Sequence, residues 1–163
     1  LMRRSAASGA SNQTPPTRTL WLVADRTSAS IDIAAKPDEV MAVIADFEHY
    51  PDWVDSMTSA EVLSSVAGRA KTVRMVLDHT LVKDNYVLAY DWKPQAVSWK
   101  LIEGNMLRVM DGPYQLKANG AKTTVTYTLT VDITLPMIGM FKRKAEKTII
   151  DKALKGLKKR VEG

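Results

Sequence analysis

From Ala60 to Leu135 the apolar side chains recur at every second position, and no other feature of this chain limits its fold so tightly. A period of two belongs to strands with one face buried and the other wet. The end of the run shows it most clearly. Val125, Tyr127, Leu129, Val131, Ile133 and Leu135 line one side, while Thr124, Thr126, Thr128, Thr130, Asp132 and Thr134 line the other. Strands are predicted over 60–66, 71–77, 83–92, 97–103, 106–117 and 123–135, joined at Ala67-Gly68, Pro94-Gln95, Gly104-Asn105 and Asn119-Gly120. Such dipeptides suit tight turns, and one-sided burial predicts an antiparallel sheet.

Two-residue turns at these places fix a register. Pro94-Gln95 sets Tyr90 opposite Trp99 and Trp92 opposite Val97. Gly104-Asn105 sets Met110 opposite Trp99 and Arg108 opposite Leu101, and Asn119-Gly120 sets Tyr114 opposite Val125 and Met110 opposite Leu129. All three place aromatic and apolar residues on one common face, an agreement that a slip by one residue would destroy.

Helical periodicity flanks the strands. Residues 28–33 alternate weakly. Pro37 then suits a first helical position, with Asp38 and Glu39 in the first turn, where the helix dipole favours acids. Val40, Met41, Val43, Ile44 and Phe47 form the stripe, and Pro51 ends or kinks the helix before a short second helix or turn at 52–56. Beyond Pro136, residues 138–161 read as a final helix ~36 Å long. Its expected stripe is Phe141, Ala145, Ile149, Ala153, Leu157 and Val161, widened by Ile150 and Leu154. The expected class is α+β: a curved antiparallel sheet wrapped around a long C-terminal helix, with a short helix pair after the first strand.

At 163 residues with 45% hydrophobic content the chain suits one domain, placed at 25–163. Residues 1–24 read as a flexible leader rich in Ser, Thr and Pro. Arg3-Arg4 suggests export, but the apolar run behind it, 20–24, is shorter than the ~7–15 residues of a signal core. No run approaches the ~18 residues of a membrane span, and a cytoplasmic location is expected. Zero cysteines exclude disulfides, thiolate metal sites and a cysteine nucleophile. Two histidines, His49 and His79, cannot form a multi-histidine metal site, so neither metal nor cofactor is expected.

The net charge of +5 divides into +2 over 1–25, −3 over 26–137 and +6 over 138–163. The basic final helix suits either the wet side of a packed helix or weak contact with an anionic membrane surface. No aromatic residues interleave its lysines, so nucleic acid is not an expected partner.

The inward face is predicted to carry Met75, Tyr86, Leu88, Tyr90, Trp92, Trp99, Met110, Tyr114 and Tyr127. This set lines either a pocket for a flat or long apolar ligand or a filled core. Trp53 belongs to the helix corner, either as a wall or gate over the pocket or as simple packing of the corner on the sheet, and Phe141 and Ile149 would face the sheet from the final helix. Arg108 falls on the inward face diagonal to Glu103, where a buried guanidinium needs a partner: either an ion pair or an arginine that orients a ligand carbonyl. No catalytic residue is assigned. Asp46, Glu48, Asp52 and Asp55 are acidic and close, but lack the spacing of a cation loop.

Three stretches resemble the START/Bet v 1-like (helix-grip, SRPBCC) superfamily, and within it the bacterial polyketide cyclase/dehydrase-like group, whose relatives include coenzyme-Q-binding START proteins. Asp46-Phe47-Glu48-His49-Tyr50-Pro51-Asp52-Trp53 is similar to the helix-corner signature. Gly112-Pro113-Tyr114-Gln115-Leu116 with Thr124-Val125-Thr126-Tyr127 is similar to the penultimate hairpin. Leu135-Pro136-Met137-Ile138-Gly139 with Leu154-Lys155-Gly156-Leu157-Lys158 is similar to the final helix. The resemblance covers about 25–162 and implies a cavity between sheet and final helix for a hydrophobic small molecule: a lipid, polyketide or isoprenoid quinone. It also admits a polyketide cyclase/dehydratase, for which Arg108 with Tyr114 is the candidate set, or an interaction module docking through the basic helix. Aromatase/cyclases of the superfamily are described with a pocket arginine on the strand matching 83–92. Here that strand turns Tyr86, Leu88, Tyr90 and Trp92 inward, which weighs against cyclase chemistry. Similar mycobacterial proteins begin Met-Ala-Asp-Arg-Thr; Val23-Ala24-Asp25-Arg26-Thr27 stands at that place, so Val23 is the expected natural start.

Overall fold

The computed structural model describes residues 26–80, 82–134 and 139–163. The predicted leader, the start at Val23 and Leu135 to Ile138 lie outside them. Strand β1 (Thr27–Ile33) leads into helix α1 (Pro37–Ala45), a 3₁₀ turn (Phe47–His49) and the short helix α2 (Tyr50–Trp53). Six strands follow: β2 (Met57–Val66), β3 (Arg69–Asp78), β4 (Lys83–Lys93), β5 (Ala96–Glu103), β6 (Leu107–Asn119) and β7 (Lys122–Ile133). Helix α3 (Gly139–Glu162) ends the chain. The sheet order is β1-β7-β6-β5-β4-β3-β2, antiparallel throughout. The helix corner therefore carries the chain from one sheet edge to the other, and the meander returns to β1.

The alternation read from the sequence sets the faces. Val125, Tyr127, Leu129, Val131 and Ile133 are buried, while the threonine side of β7 meets β1 in a polar ladder. Ser28 pairs with Thr128 at 3.0 Å, Ser30 with Thr126 at 2.7 Å, and the Thr124 hydroxyl donates to Asp32 at 2.6 Å. In α1, Pro37 stands at the first position, the Lys36 N–H donates to Glu39 at 3.3 Å, and Val40, Met41 and Ile44 are buried.

Two turns differ from their predicted form. Asn119 pairs with Lys122, so the hairpin turns at Gly120-Ala121, where Gly120 takes φ +61°, the left-handed region that glycine enters without penalty. Tyr114 consequently faces Tyr127 rather than Val125, and Met110 faces Val131 rather than Leu129. Between β5 and β6, Trp99 faces Gly112 rather than Met110. Both slips are of two residues, which leaves every side chain on its predicted face. The Pro94-Gln95 turn holds as expected, with Tyr90 opposite Trp99.

Asp84 explains the second slip. Its carboxylate accepts the N–H groups of Asn85 (2.8 Å), Asn105 (3.0 Å), Met106 (3.0 Å) and Leu107 (2.8 Å), drawing the β5–β6 connection into a loop around it rather than a two-residue turn. Gly104 permits this, because a Cβ there would lie 3.0 Å from the Leu107 carbonyl oxygen. The β6–β7 ladder is irregular immediately after the loop, between Leu107 and Val109. Arg108 occupies this bulge and is exposed, whereas Leu107 is buried. The inward position and the Glu103 partner predicted for Arg108 are thereby corrected: Glu103 instead lies 3.9 Å from Arg74.

Helix α3 lies against the sheet through Ile150, Ala153, Leu154 and Leu157, with Glu146 fully buried beside them. Glu146 accepts the Thr27 hydroxyl at 2.8 Å and the Val131 N–H at 2.7 Å, so it ties the helix to β1 and β7. The buried stripe thus runs through 146, 150, 153, 154 and 157, and Phe141 is 61% exposed, not inward as expected. At the other end, a Cβ on Gly156 would lie 2.5 Å from the Trp53 carbonyl oxygen, so glycine lets α3 press directly on the helix corner.

Candidate ligand-binding site

Between the sheet and the helices runs an unbroken chain of aromatic rings. Trp53 meets Tyr50 at 4.9 Å between ring centres, Tyr50 meets Phe47 at 4.8 Å, and Phe47 meets Tyr90 at 4.9 Å. Tyr90 meets Trp99 at 5.8 Å, Trp99 meets Tyr114 at 5.3 Å and Tyr127 at 5.7 Å, and Tyr114 stacks on Tyr127 at 4.5 Å. The helix corner supplies the first three rings and strands β4 to β7 the rest, because inward positions on neighbouring strands stand side by side. Trp99 packs against Gly112, where a Cβ would come within 2.3 Å of the indole. At the rim, Trp92 donates its N–H to the Ala70 carbonyl at 2.7 Å and carries the Arg69 guanidinium 5.1 Å from its ring centre.

All five tyrosines of the chain, Tyr50, Tyr86, Tyr90, Tyr114 and Tyr127, are buried in this region. The Tyr50 hydroxyl donates to the Ile44 carbonyl, fixing the helix corner. Among the described residues the hydroxyls of Tyr86, Tyr90, Tyr114 and Tyr127 have no hydrogen-bond partner. The Trp53 N–H is sealed and also unpartnered. Burial pushes all five phenols well above their ordinary range. Repulsion from neighbouring tyrosines adds to this for Tyr50, Tyr90 and Tyr127, and the Asp84 carboxylate adds to it for Tyr86. They are neutral groups at physiological pH.

Of the sequence-predicted site residues, Met75, Tyr86, Leu88, Tyr90, Trp99, Met110, Tyr114 and Tyr127 are brought together in the core, with Trp53 and Ile149 half-buried against it. Arg108 and Phe141 are not: both are exposed. The candidate Arg108–Tyr114 set for cyclase chemistry is therefore not assembled. These rings pack against one another between sheet and helices. Two hollows lie on the described surface, one at Lys155, Lys158, Lys159 and Glu162 on α3, and one near Asp91 and Pro113.

The acidic residues of the corner mostly answer the basic helix. Lys152 donates to Asp55 at 3.0 Å, and its hydrogen bond holds the Asp55 carboxyl below the ordinary range. Arg160 lies 3.8 Å from Asp52. Asp46 binds His49 at 2.8 Å and raises its pKa through that hydrogen bond. No cluster of three or more His, Asp or Glu that could hold a metal occurs among the described residues. No helix there is long and apolar enough to cross a membrane.

Sequence reasoning missed Asp84 and Glu146, each a lone acid in an otherwise ordinary pattern, and the two close-contact glycines, Gly112 and Gly156. The Gly-Pro-Tyr at 112–114 was visible, but only the position of Trp99 shows why the glycine is needed.

The profile of a family described as polyketide cyclase/dehydrase and lipid transport matches residues 24–162. The fold is similar to a START superfamily protein from Mycobacterium smegmatis, at 20% identity and TM-score 0.78, covering 84% of this chain and 97% of that one. It is similar to a protein from Thermus thermophilus at 24% identity and TM-score 0.72, covering 84% and 97%. It is also similar to an aromatase/cyclase from a Streptomyces species, at 16% identity and TM-score 0.66, covering 84% and 93%. At these identities the likeness is one of fold. No curated protein sequence matches the chain.

Proposed function

The chain belongs to the polyketide cyclase/dehydrase and lipid transport family, and from that premise we propose that it is a cytoplasmic carrier of a hydrophobic small molecule such as a lipid, polyketide or isoprenoid quinone. One observation supports the reading: the face between sheet and α3 is a continuous aromatic surface, and the hydroxyls of Tyr86, Tyr90, Tyr114 and Tyr127 on it have no partner among the described residues yet are not sealed. Hydroxyls that are unpartnered but in contact with open space are available to a bound molecule, and covering them without a partner would cost about 1–3 kcal/mol each. A ligand supplies both apolar area, at ~25 cal/mol per Å² before the costs of association, and partners for the hydroxyls.

Admission of a ligand between rings that pack this closely calls for movement of the helices. The C-terminal half of α3 is tied down: Gly156 presses on Trp53, Lys158 donates to the Asp32 carbonyl at 2.8 Å, and Glu162 accepts the Ala34 N–H at 2.8 Å. Among the described residues, hydrogen bonds tie the first half of α3 to the sheet through Glu146, and opening at that end, with the helix corner yielding, is the proposed route. Trp99→Ala and Tyr90→Ala are expected to weaken an identified ligand by about tenfold or more while circular dichroism shows the fold retained. Unchanged affinity in both variants would place the site elsewhere.

A second feature bears on delivery. Met140 and Phe141 are 73% and 61% exposed at the start of α3, beside Lys142, Arg143, Lys144 and Lys147. Apolar tips among cations fit weak contact with an anionic bilayer. Co-sedimentation with phosphatidylglycerol vesicles, lost in Met140→Ser/Phe141→Ser and absent with phosphatidylcholine, is the expected result; equal recovery with both lipids would contradict it.

A further inference from the structure

The carrier reading leaves open what kind of polar group the ligand bears, and the chemistry of the buried face answers this. We infer that the site selects an uncharged ligand whose polar end is a hydrogen-bond acceptor, a ketone, quinone, ester or amide oxygen, and that it rejects carboxylates and phosphates of the same size. The inference rests on the carrier reading and adds the identity of the recognised group.

Two observations support it independently. The first is the set of unused hydrogen-bonding groups. Tyr86, Tyr90, Tyr114 and Tyr127 present hydroxyls with no partner among the described residues, and Trp53 presents an indole N–H, which is a donor only. Trp53 Nε1 is the sole fully sealed side-chain polar atom without a partner among the described residues. The tyrosine hydroxyls, equally unpartnered, therefore each retain contact with space into which a small polar atom fits. Burial keeps the phenols protonated, so each has a proton to donate to an acceptor oxygen.

The second observation is the sign of the buried charge. Apart from the tyrosines, the buried ionisable residues among those described are Asp84 and Glu146, both acids. Among the described residues no buried cation lies on the aromatic face, and those that approach it stay at its rim or are taken up elsewhere. Arg108 is exposed at its bulge, Arg74 is taken up by Asn85 and Glu103, and Arg69 stays at the rim over Trp92. Lys71 donates to the Tyr90 backbone carbonyl from an exposed position. A buried carboxylate or phosphate would lie near like charge with no counter-ion, which is strongly unfavourable. A carbonyl oxygen carries no such penalty and accepts two hydroxyl donors at once. Tyr114 and Tyr127, stacked at 4.5 Å, are placed to act as that pair.

Three probes of one shape test this: 2-acetylnaphthalene, 2-ethylnaphthalene and 2-naphthoate, titrated calorimetrically into the full chain at about pH 7, where the phenols are neutral and the naphthoate is ionised. The ketone is expected to bind about tenfold more tightly than the hydrocarbon, and the carboxylate at least about tenfold more weakly than the hydrocarbon. In Tyr114→Phe/Tyr127→Phe, which keeps both rings, the ketone should lose its advantage while the hydrocarbon binds as before. Equal affinity for ketone and hydrocarbon, or preference for the carboxylate, would overturn the inference and leave the carrier reading standing. Failure of all three to bind would remove the carrier site at this position, and the inference with it.

Discussion

Gly112→Ala is a small change with a large expected consequence. The new Cβ would lie 2.3 Å from Trp99 Cζ2 and 2.7 Å from Cε2 and Cη2. Ordinary carbon contacts begin near ~3.5 Å, so the indole must retreat by about 1.2 Å. Tyr90, Tyr114 and Tyr127 stand 5.8, 5.3 and 5.7 Å from its ring centre, and their packing passes the displacement on rather than absorbing it. Overpacking of this kind costs about 1–3 kcal/mol, and the hemmed-in ring places Gly112→Ala at about 2–3 kcal/mol. For a domain of this size that lowers Tm by about 5–10 °C. Urea unfolding followed by both circular dichroism and tryptophan fluorescence measures it. In Gly112→Ala/Trp99→Leu the clash is relieved, so the pair should be non-additive by about 1–2 kcal/mol. A Gly112→Ala protein within about 0.5 kcal/mol of the parent, or strictly additive energies, would mean that Trp99 does not rest on Gly112 and that the floor of the site is wrongly described.

Two further outcomes follow from buried acids. Asp84→Ala strands three N–H groups of the β5–β6 loop and should cost about 3 kcal/mol at about pH 7. Burial pushes the Asp84 carboxyl up, but its four backbone donors together outweigh this and hold the pKa below the ordinary value. The stabilisation is therefore present above about pH 3.9 and is lost as pH falls through the lower folded value, so parent and variant should converge in acid; a gap that widens there contradicts the assignment. Glu146→Gln can still accept the Val131 N–H and donate to the Thr27 hydroxyl, so it should stay within about 1 kcal/mol of the parent, whereas Glu146→Ala should lose about 3 kcal/mol in urea unfolding; equal losses would show that the carboxylate itself is required.

The faces of the sheet were legible because alternation survives any slip of two. Tyr114 was paired with Val125 and found opposite Tyr127, yet it pointed inward either way. What was not legible depends on contacts between distant residues. Nothing near Gly104-Asn105 indicates that a carboxylate from β4 gathers the backbone there, or that the ladder then bulges and turns Arg108 to solvent. The helical stripe was centred one position away because Glu146 looks like a surface residue, although the two groups that donate to it belong to β1 and β7. With the stripe centred on Phe141, that residue was read as inward; centred on Glu146 and Ile150, it leaves Phe141 outside. The aromatic residues of the strands are legible from their periodicity, whereas Phe47 reads only as part of a helical stripe, and the lack of partners for the hydroxyls is a property of the assembled interior.

The most direct test is native mass spectrometry of the protein purified from its own organism, followed by organic extraction of whatever dissociates. The account predicts a stoichiometric adduct of a neutral, apolar, oxygen-bearing molecule, lost in Trp99→Ala. A bare chain mass at full occupancy of the folded state, or an adduct that persists unchanged in Trp99→Ala, would contradict it.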